Sequence, residues 1–331
     1  MLWSTEHTLR ELSDSYISLV SASDTFRSDS TGDFDTTALH GLKITSSTTG
    51  RMVCDFPVDK RVQNRFGTLH GGCIATLVDD VSSGAIVSVA PHAGVSVHMS
   101  MNYFSPTPGG QDCEVDAHVT KAGRTLAFVD VEVRDKRTGK VTARGTHVKF
   151  IPPMPDPKAS NGNTKRPPGT PKVAATPEAA EHFISDMIND VREGFQADAT
   201  QNFEATALYG LRDITATRGQ VVCMLPVKQR VQNRYNTLHG GCIATLVDVI
   251  GSAAIMTMNE HSGVSLQISI DYLSELPGGE ECEATATVSH LGKSTATAVV
   301  DLRVKRTGRL AARGTHVKFL AGGLPHVRSR L

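Results

Sequence analysis

The sequence predicts an α+β fold written twice in one chain. Three observations carry this. The stretch RVQNRFGTLHGGCIATLVD, from Arg61 to Asp79, returns as RVQNRYNTLHGGCIATLVD from Arg230 to Asp248. The same offset of 169 residues pairs Phe26 with Phe195, Cys54 with Cys223, Gly123 with Gly292 and His147 with His316, with no gap between them. Each copy holds one long apolar helical run followed by segments of period-two alternation, so the unit that repeats is a whole domain.

Both copies place their elements in the same order. An amphipathic helix is expected over residues 5–21, with Leu9, Leu12, Tyr16, Leu19 and Val20 on one side, and again over 178–192. Two strands follow, near 39–47 and 51–58. The polar loop KRVQNRFGT then leads into a long helix from Leu69 to Val89. Four strands complete the unit, near 94–104, 112–121, 125–135 and 140–150. Pro108-Gly109-Gly110, Ala122-Gly123-Arg124 and Thr138-Gly139 supply the hairpin turns between them. Val129-Asp130-Val131-Glu132-Val133 alternates as a strand with one buried face must. The expected unit is therefore a long central helix wrapped by an antiparallel sheet of five or six strands. Residues 152–177 are rich in Pro, Ser, Asn, Gly and Lys, the composition of a linker. The first domain then spans 1–151, the second 178–321, and residues 322–331 form a tail.

Composition narrows the functional classes. The formal net charge of the 331 residues is +0, so nothing global points to nucleic acid or an anionic membrane. The six cysteines are three positions inherited twice (Cys54/Cys223, Cys73/Cys242, Cys113/Cys282), which favours free thiols in a reducing compartment over disulfides. No CxxC pair suggests zinc. The first residues carry Glu6, Glu11, Asp14 and Asp24, unlike a mitochondrial transit peptide. No stretch approaches the roughly 20 apolar residues of a membrane span. Ser329-Arg330-Leu331 is similar to the Ser-Lys-Leu peroxisomal address, so a peroxisomal import receptor is an expected partner, with the cytoplasm as the alternative location.

The chemistry is expected on the long helix. From Phe66 to Ala90, and from Tyr235 to Met258, there is no Lys, Arg or Glu. Such a helix is buried nearly all round, yet each copy keeps an aspartate, Asp79 and Asp248. An unpaired carboxylate there costs several kcal/mol or raises its pKa, which suits a general base. Asp80 has Val249 as its counterpart and reads as a local feature. The helix start, Thr68-Leu69-His70-Gly71-Gly72, offers unpaired N–H groups at a positive dipole end. It is either an oxyanion hole or a site of close packing. Asn64 and its counterpart Asn233 can give an amide donor to the same oxygen. His70 either holds the loop or transfers protons.

These residues form a recognisable set. Asn-x5-His-Gly-Gly-x5-Val-Asp, followed by Gly-Val-Ser-Val and Lys-x-Gly-Arg-Thr, closely resembles the hotdog-fold acyl-CoA thioesterases, in particular the group related to phenylacetyl-CoA thioesterases. The resemblance covers each repeat nearly end to end. It implies that Asp79 and Asp248 activate water or attack the thioester, and that Ser96 and Ser265 help position the water. It implies that Gly71 and Gly240, with Asn64 and Asn233 and beside His70 and His239, polarise the carbonyl. Because members of that family pair subunits side by side, it also implies an intramolecular double hotdog with two composite sites. Asn64 and Gly71 would face Asp248 and Ser265, and Asn233 and Gly240 would face Asp79 and Ser96. Coenzyme A is expected along Tyr103, Phe104, Ser105 and Pro106 and the turn Lys121, Gly123, Arg124, Thr125. In the second repeat it is expected along Tyr272, Ser274, Gly292, Lys293 and Ser294. Lys121 becomes His290 and Pro106 becomes Glu275, so the second nucleotide site departs from the first. His98, with Gln267 opposite it in the repeat, departs from the acid expected in relatives. Coenzyme A is part of the substrate, and no metal or redox cofactor is implied. The expected activity is hydrolysis of fatty or aromatic acyl-CoA, in lipid metabolism, by a homodimer of the double-domain chain. The rivals are a non-catalytic acyl-CoA sensor or scaffold and a hotdog hydratase. The hydratase needs a histidine beside an acid, whereas here the histidine sits at the glycine turn.

Overall fold

Among the described residues, each repeat folds as one long helix against six strands. The computed structural model describes residues 34–39, 41–90, 93–151, 203–208, 210–259 and 262–320. In the first repeat these form α1 (Phe34–Ala38), β1 (Lys43–Thr48), β2 (Arg51–Pro57), α2 (Gly71–Val87), β3 (Val95–Tyr103), β4 (Asp112–Ala122), β5 (Leu126–Asp135) and β6 (Val141–Phe150). The second gives α3 (Phe203–Ala207), β7 (Arg212–Thr217), β8 (Gln220–Pro226), α4 (Gly240–Met256), β9 (Val264–Tyr272), β10 (Glu281–Leu291), β11 (Thr295–Val304) and β12 (Leu310–Phe319). The helices expected at 5–21 and 178–192, the linker and the tail lie outside the described residues.

All twelve strands join one sheet in the order β1-β2-β4-β5-β6-β3-β9-β12-β11-β10-β8-β7. The repeats meet where β3 pairs antiparallel with β9, Ser100 opposite its own counterpart Ser269. Equivalent residues face each other there, as they must on a two-fold axis. His98 and Gln267 both lie on this seam. His98 Nδ1 is 2.8 Å from Asp271 Oδ1, and Gln267 Nε2 donates to Ser100 Oγ at 3.5 Å.

The inner face of the sheet covers the helices. Val129, Val131 and Val133 are buried on β5, and the buried residues of α2 run unbroken from Gly72 to Val87. Burying a Leu or Val side chain contributes about 1.5–3 kcal/mol, so two such helices anchor the core. The second glycine of each pair permits the helices to cross. A methyl added at Gly72 would lie 2.9 Å from Thr245 Cβ, and one at Gly241 equally close to Thr76 Cβ. Gly145 and Gly314 likewise let the sheet approach Val78 and Val247. The repeated 19-residue stretch differs at two positions, Phe66/Tyr235 and Gly67/Asn236. Gly67 and Asn236 both adopt left-handed backbone, φ 71° and 57°, and asparagine tolerates that region better than most residues.

Sequence expectation and structure part at one element. Residue 39 was expected to begin a strand, but Phe34–Ala38 is helical and β1 starts at Lys43. Five residues are too few to show a helical period. All six cysteines are free and buried. No helix among the described residues is long and apolar enough to cross a membrane.

Candidate active site

At the carboxylate end, Asp79 on α2 is held from the sheet side. Its Oδ1 accepts from Lys149 Nζ at 3.2 Å and from Ser96 Oγ at 3.4 Å. His147 Nε2 is 3.0 Å from Ser96 Oγ, and its Nδ1 is 2.7 Å from Ser82 Oγ. Lys149 Nζ also reaches Ser83 Oγ at 2.5 Å. The second repeat copies most of this. Ser265 Oγ donates to Asp248 Oδ1 at 3.4 Å, His316 Nε2 is 2.9 Å from Ser265 Oγ, and Lys318 Nζ is 2.6 Å from Ser252 Oγ. Where Ser82 supports His147, the second repeat has Gly251, and among the described residues His316 Nδ1 is buried without a hydrogen-bond partner.

The electrostatics correct the expectation of a raised aspartate pKa. Burial pushes Asp79 upward, but Lys149, His147 and His239 outweigh it and hold the carboxyl well below its ordinary value. Asp248 is lowered too, with His70, His316 and Lys318 overcoming burial. Both are ionised carboxylates with cationic support. Burial, with the neighbouring lysine adding to it, lowers His147 and His316 to about 3, so both rings are neutral. Burial outweighs the Asp248 charge and lowers Lys318 to about 8.

At the turn end, His70 caps α2. It has extended backbone, and its Nδ1 accepts from Gly72 N–H at 2.9 Å. His239 does the same for Gly241 at 2.8 Å. Among the described residues no hydrogen bond engages the Gly71 or Gly240 N–H. Asn64 shapes the loop before the turn. Its Oδ1 accepts from Phe66 N–H at 2.9 Å, and its Nδ2 donates to Thr68 Oγ1 at 3.0 Å. One amide hydrogen of Asn64 therefore remains for another acceptor. Asn233 repeats the arrangement with Tyr235 and Thr237.

The two ends meet across the repeats. A methyl added at Gly71 would lie 2.6 Å from Asp248 Oδ2, and one at Gly240 would press on Asp79. One cavity of about 440 Å³ is lined by Asn64, His70, Gly71, Asp248, Ser265 and Lys318. A second, of about 560 Å³, is lined by Asn233, His239, Gly240, Asp79, Ser96 and Lys149. Sequence similarity now bears on this geometry. The thioesterase superfamily pattern matches residues 66–142 and again 235–311. Acyl-coenzyme A thioesterase 13 of Homo sapiens is 42% identical over 111 residues, 33% of this chain and 79% of that protein. The chain belongs to the thioesterase superfamily. By class it is a thioester hydrolase.

Two solved structures share the fold of this thioesterase over most of its length. A conserved protein of unknown function with hot dog fold from Alicyclobacillus acidocaldarius superposes with TM-score 0.58 at 14% identity, covering 88% of this chain and 98% of that one. The tesB protein of Mycobacterium avium subs paratuberculosis gives TM-score 0.54 at 12% identity, covering 86% and 97%.

The residues expected to hold coenzyme A divide into two groups. Tyr103, Phe104, Ser105 and Pro106 line the first cavity, and Tyr272 and Ser274 line the second. Tyr103 donates its hydroxyl to Gly71 O at 3.0 Å, and Tyr272 to Gly240 O at 3.1 Å, so both buttress the glycine turns. Lys121, Gly123, Arg124 and Thr125 line neither cavity but lie beside the second. Ile151 N–H donates to Thr125 O at 2.8 Å, and the adjacent Phe150 is part of that cavity wall. Gly292, Lys293 and Ser294 stand likewise next to Leu320, whose N–H donates to Ser294 O at 2.7 Å.

Sequence reading missed three pairs at the site of this thioesterase. Lys149/Lys318 and His147/His316 come from the heptapeptide RGTHVKF, identical in both copies. Its inward positions are Gly, His and Lys while Phe points out, the reverse of an ordinary strand, and that inverted phase was the available signal. The third pair, Asp35 and Glu204, sits in the related pentapeptides FDTTA and FEATA. Glu204 Oε1 lies 3.0 Å from His70 Nε2, and Asp35 pairs with His239. The turn histidines thus do stand beside acids, contrary to the argument raised against a hydratase. However, their Nδ1 atoms are occupied as helix caps. Asp80 is also more than a local feature, because its Oδ2 is 3.7 Å from His239 Nε2. Asp35, Asp80 and His239 bring three ligand-type atoms within 4.8 Å of one another. The first cavity has Val249 in place of Asp80, which offers no ligand atom.

Proposed function

We propose that this thioesterase hydrolyses acyl-CoA at two sites, each built from both repeats, which together form an internal double hotdog. The observation that carries this reading is the ionised carboxylate of one repeat held against the Cα of the other repeat's turn glycine, whose N–H is open, at Asp248/Gly71 and Asp79/Gly240.

In the second cavity the thioester carbonyl oxygen accepts from Gly240 N–H and from the remaining Asn233 amide hydrogen. A water between Asp79 and Ser96 gives its proton to Asp79 as its oxygen bonds to the carbonyl carbon. The negative charge on the tetrahedral oxygen is met by donors that need no reorganisation. The carbon–sulfur bond then breaks, and coenzyme A leaves as its thiol with the proton from Asp79. Lys149 holds Asp79 ionised and oriented for each cycle. Asn64, Gly71, Asp248 and Ser265 fill the same roles in the first cavity, where Lys318 supports Asp248 through its charge alone. The basic turns beside the cavities, Lys121 to Thr125 and Gly292 to Ser294, take the coenzyme A phosphates through N–H groups and charge.

Free-thiol release across a panel of acyl-CoA thioesters tests this. Asp79→Asn with Asp248→Asn in one chain is expected to fold and to lose about 10²–10⁴ in rate. Near-normal turnover by that folded variant would remove both aspartates from the mechanism, and binding without release by the native chain would favour a sensor.

A further inference from the structure

The two short helices that the sequence did not announce each reach into the site turn of the opposite repeat. Phe34 N–H donates to Gln232 O at 3.1 Å, and Phe203 N–H donates to Gln63 O at 3.2 Å. These carbonyls belong to the loops that precede the turns His239-Gly240-Gly241 and His70-Gly71-Gly72. The phenylalanines then pack on the histidine rings. Phe34 stacks on His239 with centroids 4.8 Å apart, and Phe203 lies 5.3 Å from His70. The next residue in each helix is an acid, buried with the imidazole it meets: Glu204 at His70 and Asp35 at His239.

We propose that Glu204 and Asp35 are positioning residues that fix the turn histidines in the Nε2–H tautomer and so aim the glycine N–H of each site at the substrate oxygen. The argument begins with a conflict at the ring. Each imidazole has a carboxylate at both ring nitrogens, and His239 Nε2 faces Asp80 as well as Asp35. His70 has Glu204 Oε1 at 3.0 Å from Nε2 and Asp248 Oδ2 at 3.7 Å from Nδ1. His239 has Asp35 at Nε2 and Asp79 Oδ2 at 4.0 Å from Nδ1. A proton on Nδ1 would satisfy the catalytic aspartate. It would also set an N–H against the Gly72 N–H, which lies 2.9 Å from the same nitrogen. Two facing donors repel, and the cap on the second helix residue would be lost. A closer acceptor at Nε2 settles the competition. Burial lowers the pKa of both rings, but Glu204 at His70 and Asp35 at His239 outweigh it and raise both. That support acts at Nε2, whereas a proton on Nδ1 would still face the helix N–H. The proton therefore stays on Nε2, and the Nδ1 lone pair holds the second N–H of the helix. The first, at Gly71 or Gly240, is thereby left as the donor facing the cavity.

The molecule contains its own conservative substitution, since a glutamate serves one site and an aspartate the other at equivalent positions. The devices are also crossed. Glu204 lies in the second repeat but orders the turn of the first, and Asp35 does the reverse. Each site therefore depends on the far repeat for its carboxylate and for the orientation of its oxyanion donor.

This inference rests on the proposed hydrolysis for its kinetic reading but not for its structural one. The test uses full-length chains in which Asp79→Asn silences the second site, so that turnover reports the first alone. Glu204→Leu is expected to lower kcat at least ten-fold with little change in KM. Glu204→Asp and Glu204→Gln, which retain an acceptor, should recover most of it. Nitrogen NMR of the His70 ring, assigned by its loss in His70→Gln, should show the Nε2–H tautomer in the native chain and in Glu204→Gln. In Glu204→Leu it should show the Nδ1–H form or a mixture. An unchanged Nε2–H ring with unchanged kcat in Glu204→Leu would overturn the proposal, as would equal losses of kcat in all three variants. Should Glu204→Leu fail to fold, Glu204→Ala takes its place, with a shift to the Nδ1–H form or a mixture expected and an unchanged Nε2–H ring overturning the proposal. If the native chain releases no thiol from any acyl-CoA, the hydrolysis reading falls, and the NMR signal still answers whether Glu204 sets the tautomer.

Discussion

The crossed geometry makes a counting prediction that a single-repeat site would not. Two double variants carry the same kinds of change. One combines Asn64→Ala with Asp248→Asn, and the other combines Asn64→Ala with Asp79→Asn. In the first, both changes fall in the cavity where Asp248 Oδ2 stands 2.6 Å from a methyl placed at Gly71. The second cavity keeps Asn233, Gly240, Asp79 and Ser96 intact. In the second variant each cavity loses one group. Loss of a general base costs about 10²–10⁴ in rate, and loss of one oxyanion donor about 10²–10³. A site with either loss therefore contributes almost nothing beside an intact one, and a second deletion in a spoiled site matters little. The cross-repeat variant should keep about half of the native activity if the sites are equal and independent, and the same-repeat variant about a hundredth or less. Steady-state thiol release at saturating substrate reads both, with sedimentation alongside to exclude exchange of repeats between chains. If the same-repeat variant is the more active, each repeat builds its own site and the crossed arrangement is wrong.

Replacing Asn64 or Asn233 alone by Ala should lower kcat at the affected site more than it raises KM, because the spare amide hydrogen meets charge that develops in the transition state; a change confined to KM would assign the amide to substrate binding. The glycines of the turn should separate by role. Gly72→Ala presses on Thr245 at the helix crossing and should cost about 1–3 kcal/mol of stability by denaturant melting, whereas Gly71→Ala presses on the Asp248 carboxylate and should cost activity at the first site with less loss of stability. Asp80 should make stability depend on pH. Burial, and then the Asp35 charge, raise its pKa from 3.8 to about 7. A carboxyl raised on folding gives a contribution that is complete below the unfolded value and is lost as pH rises through the folded one. The Asp80 contribution should therefore fall between pH 4 and pH 8, opposing the rise with pH that the lowered His147 and His316 contribute up to their unfolded value. Asp80→Asn should flatten that fall, and equal slopes for native and variant in urea melts would refute the assignment.

Much of this architecture was legible because it was written twice. The offset of 169 residues located the long helix and every long strand in both halves. The absence of Lys, Arg and Glu from the long helix announced its burial, and the aspartate kept in both copies marked a chemically unusual position. Period and turn chemistry are local properties, so a single chain displays them directly. The short helices α1 and α3 escaped because five residues carry no period. The depressed pKa of Asp79 escaped because Lys149 and His147 come from a strand about seventy residues away, in an inverted phase that counts as polar surface until the sheet is folded.

The sequence by itself determined the repeat, the kind of unit repeated, and the set of groups at the turn and on the helix. Tertiary structure decided their pairing. Pairing of β3 with β9 sets Ser100 against Ser269 and brings α2 across α4 at Gly72 and Gly241. That packing carries the carboxylate of each helix to the glycine turn of the other and sets beside it a lysine and a neutral histidine from its own sheet. Charge state, tautomer and the identity of the facing residue depend on distances between elements far apart in the chain. Those distances are set by how the helices and strands pack, which no local pattern of residues records.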